Sequence, residues 1–220
     1  MSKPPRAAII TARYIEMKNN KALILEISCF AAMVLTIIFS GSLSSFENDC
    51  KTVRSNVFRL HVIANSDSSE DQQLKLKVRD ALLLQGKEVF SSGSTKKSAE
   101  KAACKNLQSF LQTAEKTIRE NGKDYSVCVS VGKSSFPTRT YENITLPAGE
   151  YDALRVVIGE GKGKNWWCVM FPPLCLPAAE RRQELSDVLS DGGQALVESE
   201  PKYEIRFWLI EKIEQLRKKA

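Results

Sequence analysis

The sequence predicts an α+β fold, a small and mostly antiparallel sheet with packed helices, preceded by an N-terminal signal or transmembrane segment. Three observations carry that expectation. After residue 46, apolar residues recur with both helical and strand periods, without a strict alternation of strand and helix. At 220 residues and 43% hydrophobic, the chain can bury one good-sized core. Ahead of that body, residues 22–39 read ALILEISCFAAMVLTIIF, an apolar stretch with a single charge at Glu26.

The N-terminus divides into a basic segment, 1–21, and the apolar segment, 22–39. Lys3, Arg6, Arg13, Lys18 and Lys21 precede the apolar run, which places 1–21 in the cytoplasm. The uninterrupted part, Ile27 to Phe39, is short for a stable span and suits a signal-peptide core. Counted from Ala22, the stretch is just long enough to cross a bilayer. Ser40, Gly41, Ser42, Ser44 and Ser45 follow, small residues where a signal peptidase can cut. Cleaved signal and retained anchor both stay open. A buried core helix fits the basic flank and the small-residue exit poorly. Cys50 lies too far from the apolar run for a lipoprotein. Residues 47–220 are then an exported domain. Half of the formal charge of +6 sits before residue 47, so the body is not a concentrated basic surface and no nucleic-acid partner is expected.

The body opens with Val57 to Ala64, apolar enough for a strand. A polar corner follows, Asn65-Ser66-Asp67. Ser68 and Ser69 can each cap a helix, with Asp71 or Gln72 completing a capping box. Glu70 and Asp71 suit the positive end of its dipole. Leu74, Val78, Ala81 and Leu82 form its buried stripe. Gly86 and Ser91-Ser92-Gly93-Ser94 mark a loop. Ala103, Leu107, Phe110, Leu111, Ala114 and Ile118 predict a second helix over Ser98–Glu120, stopped by Asn121-Gly122. Tyr125, Val127, Val129 and Val131 alternate with polar residues, a half-buried strand. Residues 133–152 read as irregular, and Ala153 to Ile158 as a continuous strand. Gly159, Gly161 and Gly163 lead from that strand into another, Trp166 to Phe171. Glycines cradle phosphate when they lead into a helix N-terminus, so a hairpin is expected here. Pro172-Pro173 end the strand. A helix over Ala178–Ser190 is closed by Asp191-Gly192-Gly193, and a last helix after Pro201 carries Ile205, Leu209, Ile213 and Leu216.

Candidate chemistry is sparse. His61 is the only histidine and shares a strand face with Arg59 and Ile63; packing or hydrogen bonding accounts for it more simply than catalysis. No His/Cys spacing supplies a metal site, and no cofactor motif occurs. Of six cysteines, five lie in the body, so at least one thiol is unpaired within a monomer. Cys168 and Cys175 bracket a segment that its prolines force to turn; they form either a disulfide or two buried thiols. Trp166 and Trp167 are candidates for partner contact, one of them facing inward. The corner Asn65-Ser66-Asp67 reads either as turn and cap or as a surface displayed to a partner.

Two long strings identify a resemblance. Residues 61–80, H-V-I-A-N-S-D-S-x-E-D-Q-x-L-K-x-x-V-R-D, and 143–175, N-I-T-L-P-A-G-E-Y-D-A-L-R-V-V-I-G-E-G-x-G-x-N-W-W-C-V-M-F-P-P-L-C, resemble the stage II sporulation protein R family of spore-forming bacteria. The N-terminal fifth and the last helix match less specifically. The resemblance implies a signalling protein rather than an enzyme. Such proteins are made in the forespore and exported into the space between the two cells' membranes. There they trigger a membrane-embedded aspartic protease of the mother cell, which removes the pro-sequence of sigma factor E. No small-molecule substrate is implied. A second reading, from the residues, is an exported thiol hydrolase of the cell envelope, with Cys168 or Cys175 as nucleophile and His61 as base. A third is an envelope-binding module without signalling.

Overall fold

The computed structural model describes residues 6–90, 95–141, 144–175, 189, 191–197, 208, 211, 212 and 216, with side chains from Leu23 onward. Along the chain it separates into two compact units, Met1–Phe46 and Glu47–Ala220. The first is helical. Helix α1 runs Arg6–Asn56, and from Leu23 it is long and apolar enough to cross a membrane. Leu23, Leu25, Phe30, Leu35, Ile37 and Phe39 are all exposed along it. A stripe of that kind needs an apolar surround that this unit does not itself supply.

The second unit is built on a four-stranded sheet, ordered β2-β5-β1-β6. Its strands are β1 (Phe58–Ile63), β2 (Val127–Phe136), β5 (Gly149–Ile158) and β6 (Asn165–Phe171). β1 pairs parallel with β5 and antiparallel with β6, and β2 pairs antiparallel with β5. A separate two-stranded ribbon joins β3 (Arg139–Tyr141) to β4 (Ile144–Leu146). The sheet is thus mixed, mainly antiparallel, and the α+β expectation holds.

One face of the sheet carries the core. Phe58, Leu60, Val62, Leu154, Val156, Ile158, Cys168 and Met170 meet side chains from three helices: α2 (Ser69–Val89), α3 (Lys96–Lys105) and α4 (Leu107–Glu120). The predicted stripe of α2 is buried at Leu74, Val78 and Leu82, with Ala81 half-buried and Leu83 inside instead. Gly86 marks no loop. It lies within α2, where a Cβ would stand 2.6 Å from Met170 Cε, so the missing side chain lets the helix approach β6.

The single helix expected over Ser98–Glu120 is two. Asn106 leaves helical geometry, and its side-chain amide donates to Ala102 O at 2.8 Å. Apolar spacing runs unbroken through that corner, which hid the break. Thr95 and Ser98 cap α3 reciprocally. Gly122, at φ +71, ends α4: Gly122 N donates to Arg119 O and Lys123 N to Ile118 O, a Schellman closure.

Residues 133–152, expected to be irregular, hold the end of β2, the ribbon and the start of β5. Strands of three residues carry too little alternation to be read from sequence. Most of the helix expected over Ala178–Ser190 lies outside the described residues. Asp191-Gly192-Gly193, expected to close it, are the first residues of α5 (Asp191–Val197). Of the last predicted helix, Trp208, Glu211, Lys212 and Leu216 are helical and the rest lies outside the described residues.

Candidate functional site

Two surfaces gather the residues singled out in the sequence. The first is the corner that carries β1 into α2. Ser68 caps α2, its side chain accepting from Asp71 N at 3.2 Å. Asp71 does not complete a capping box with it. Its carboxylate reaches past the cap and accepts from Asn65 Nδ2 at 2.9 Å and Ser66 Oγ at 2.6 Å. Burial alone would raise the Asp71 pKa; hydrogen bonds from Ser66, Asn65 and Tyr125 outweigh it and hold the group below its ordinary value.

The glycine segment closes over this corner. It makes no hairpin, because β1 lies between β5 and β6 and the connection must cross the end of β1. In crossing, its amides bond to the corner. Glu160 N donates to Asn65 Oδ1 at 2.9 Å, Lys162 N to Asn65 O at 3.1 Å, Gly163 N to Ala64 O at 2.9 Å and Lys164 N to Asp67 Oδ1 at 2.7 Å. The glycines are required by contact as well as conformation. Gly159 has φ +56, and a Cβ there would lie 2.2 Å from Asn65 Oδ1.

Lys75 completes the clasp from α2. It is 4% exposed, donates to Gln72 Oε1 at 2.5 Å and to Lys164 O at 3.0 Å, and burial lowers its pKa. Gln72 in turn donates to Ser66 O at 2.8 Å. Sequence reasoning named Asn65, Ser66 and Asp67 but expected an exposed corner. Asn65 and Ser66 are half-buried, and only Asp67 is exposed. Lys75, Gln72 and the glycine segment were missed as its partners.

The second surface is the sheet face opposite the helices. Across it the register places Ser130, Arg155, His61 and Trp167 in one row. His61 stacks on Trp167, with centroids 6.1 Å apart and planes at 15°, and its Nε2 bonds Asn165 Oδ1 at 2.8 Å. Arg139 lies over the Trp167 ring, 4.4 Å from its centroid. Burial, with Arg155 and Arg59 adding like charge, keeps the His61 pKa low against the Asn165 bond. Trp166 points the other way, onto the helical core, under Arg79 at 4.3 Å. The two tryptophans thus face opposite sides.

Deeper on the His61 face, Arg59 is fully buried. Its Nε donates to Cys168 O at 3.3 Å, its Nη2 to the Tyr141 hydroxyl, and its guanidinium sits 3.9 Å from the Phe136 centroid and 4.7 Å from that of Tyr151. No carboxylate among the described residues pairs with it. Burial therefore lowers its pKa, with Tyr141 and Tyr151 opposing.

Cys168 and Cys175 come together, with Cα atoms 6.2 Å apart, within disulfide range. Cys168 lies in the helix-covered core, beside Leu60 in the register. His61, the next residue along β1, faces the opposite side. The fold does not bring a cysteine–histidine couple together from these two residues. Cys50 is buried, and Cys104 and Cys128 are exposed. Among the described residues no group of three His, Cys, Asp or Glu could hold a metal ion.

Comparison with known proteins places this arrangement. The family model described as stage II sporulation protein R matches residues 54–181, which include the corner, the glycine segment and both tryptophans. Stage II sporulation protein R of Bacillus subtilis (strain 168) is 34% identical over 191 residues, covering 77% of this chain and 85% of that protein. No solved structure matches. With more than half of the chain inside the family model, the protein belongs to the stage II sporulation protein R family.

Proposed function

We propose that this sporulation protein is a signal. Made in the forespore, it is exported into the intermembrane space and activates a membrane-embedded aspartic protease of the mother cell. That protease then processes the precursor of sigma factor E. Family membership is the observation that carries the reading. The apolar part of α1 supports export or membrane anchoring. Partner contact is assigned to the corner Asn65, Ser66 and Asp67 and, on separate faces, to the two half-buried tryptophans: Trp167 on the open sheet face and Trp166 beneath Arg79. The corner contributes shape: its side chains hold one another and the glycine segment, so the ridge is set before a partner arrives.

Co-expression in a non-sporulating host tests this. The chain, the protease and the precursor together should yield processed sigma factor, and omission of the chain should not. An intact precursor beside a folded, exported chain would overturn the proposal.

We also propose that Cys168 and Cys175 are joined once outside the cytoplasm. In protein collected there and unfolded without reductant, both should resist alkylation and become reactive after reduction. Prompt alkylation of both before reduction would remove the bridge.

A further inference from the structure

We propose that the open part of the His61 sheet face docks a carboxylate-bearing segment of a protein partner, with Arg155 and Arg139 as its anchors. The inference rests on the signalling reading and names the chemistry of its contact. The register rows Ser130–Arg155–His61–Trp167 and Cys128–Val157–Ile63–Asn165 contain no Asp or Glu, although the chain has 26. Arg155 and Arg139 are both exposed, and neither pairs with a carboxylate among the described residues. Elsewhere Lys96, Lys133, Arg119, Lys123 and Lys162 all do. The buried Arg59 adds a third positive charge behind them.

The line Arg155–His61–Trp167–Arg139 therefore carries a cation at each end of a flat histidine–tryptophan stack. A guanidinium fork matches a carboxylate through two parallel N–H bonds. The stack beneath holds Arg139 in place, so little side-chain freedom is lost on binding. Nucleic acid would need a longer basic track. A lipid surface would need large apolar side chains to insert, whereas Ser130, Cys128 and Asn165 are what this face exposes around the arginines.

The test uses the full chain in the co-expression assay. Arg139→Glu with Arg155→Glu should reduce precursor processing at least tenfold, while Lys101→Glu with Lys116→Glu should leave it unchanged. Export and thermal melting are measured on each variant. If the double reversal melts early, Arg139→Gln with Arg155→Gln removes the charges without adding repulsion and takes its place. In parallel, Arg155→Lys puts an amine at this position, and carbodiimide treatment of the co-expressing membranes should couple it to an Asp or Glu of the protease. Full processing by the folded double variant overturns the inference and leaves the signalling reading standing. If the unmodified chain triggers no processing, the signalling reading fails and the coupling alone decides: coupling to the protease supports docking, and its absence refutes it. Coupling of position 155 to lipid phosphate instead of a protein carboxylate also refutes it.

Discussion

Gly163→Ala should destabilise the folded domain by about 3 kcal/mol or more, the sum expected for overpacking and two lost hydrogen bonds. A Cβ at residue 163 would stand 2.2 Å from Ser66 O and 2.8 Å from Ala64 Cβ. The nearer neighbour is backbone, which cannot swing aside. The glycine segment has to lift, breaking the Gly163–Ala64 bond and the Lys164–Asp67 bond. For a domain of this size the melting temperature should fall by roughly 6–12 °C. Gly132→Ala is the control: that position opens onto free space, and its effect should stay within about 0.5 kcal/mol. Equal melting of Gly163→Ala and the unmodified protein would show that the glycine segment does not rest on the corner.

Asp71→Ala should cost a similar amount, about 3 kcal/mol, since hydrogen bonds to a charged acceptor contribute about 1.5–3 kcal/mol and their donors would be left half-buried. The sign with pH is definite. The folded-state pKa of Asp71 lies below its ordinary value, so between the two the unfolded chain binds more protons. The stabilisation is fully present above the ordinary carboxylate pKa and is lost as pH falls through the folded value. Denaturant melts at neutral pH and below pH 4 should therefore show the gap between Asp71→Ala and the unmodified protein narrowing in acid. Asp152, whose pKa is also lowered, titrates in both proteins and cancels from that difference. A gap that stays constant with pH would mean that the carboxylate charge plays no part in the clasp.

These expectations revise what the sequence alone suggested for the corner. Read as letters, Asn65-Ser66-Asp67 is a turn followed by a cap, and removing Asn65 and Asp67 together looks tolerable at about 1 kcal/mol per cap. In the fold Asn65 bonds both Asp71 and Glu160 N, so an Asn65→Ala, Asp67→Ala pair breaks the anchor of a whole connection. Local chemistry was legible: the cap at Ser68, the stop at Gly122, the stripe of α2. What could not be read was anything set by contact between distant segments. Gly86 looked like a breaker because the methionine it accommodates is 84 residues away in sequence. The glycine segment looked like a hairpin because strand order, which puts β1 between β5 and β6, is written in no single stretch. For the sheet face the alternation of β1 was visible, but the alignment of Arg155, His61 and Trp167 depends on register.

The position of β1 also sets when this domain can form. Its two neighbours, β5 and β6, begin at Gly149 and Asn165, about ninety residues or more downstream, and every pairing of β1 is with one of them. In the proposed export the segment after the apolar run crosses first, which delivers β1 early and keeps it without partners until nearly the whole body has followed. Closing so long a loop is slow and rewards nothing until its far end arrives. On the export proposed above, this order keeps the sheet unassembled throughout transit, as a narrow channel requires, and lets it come together on the far side.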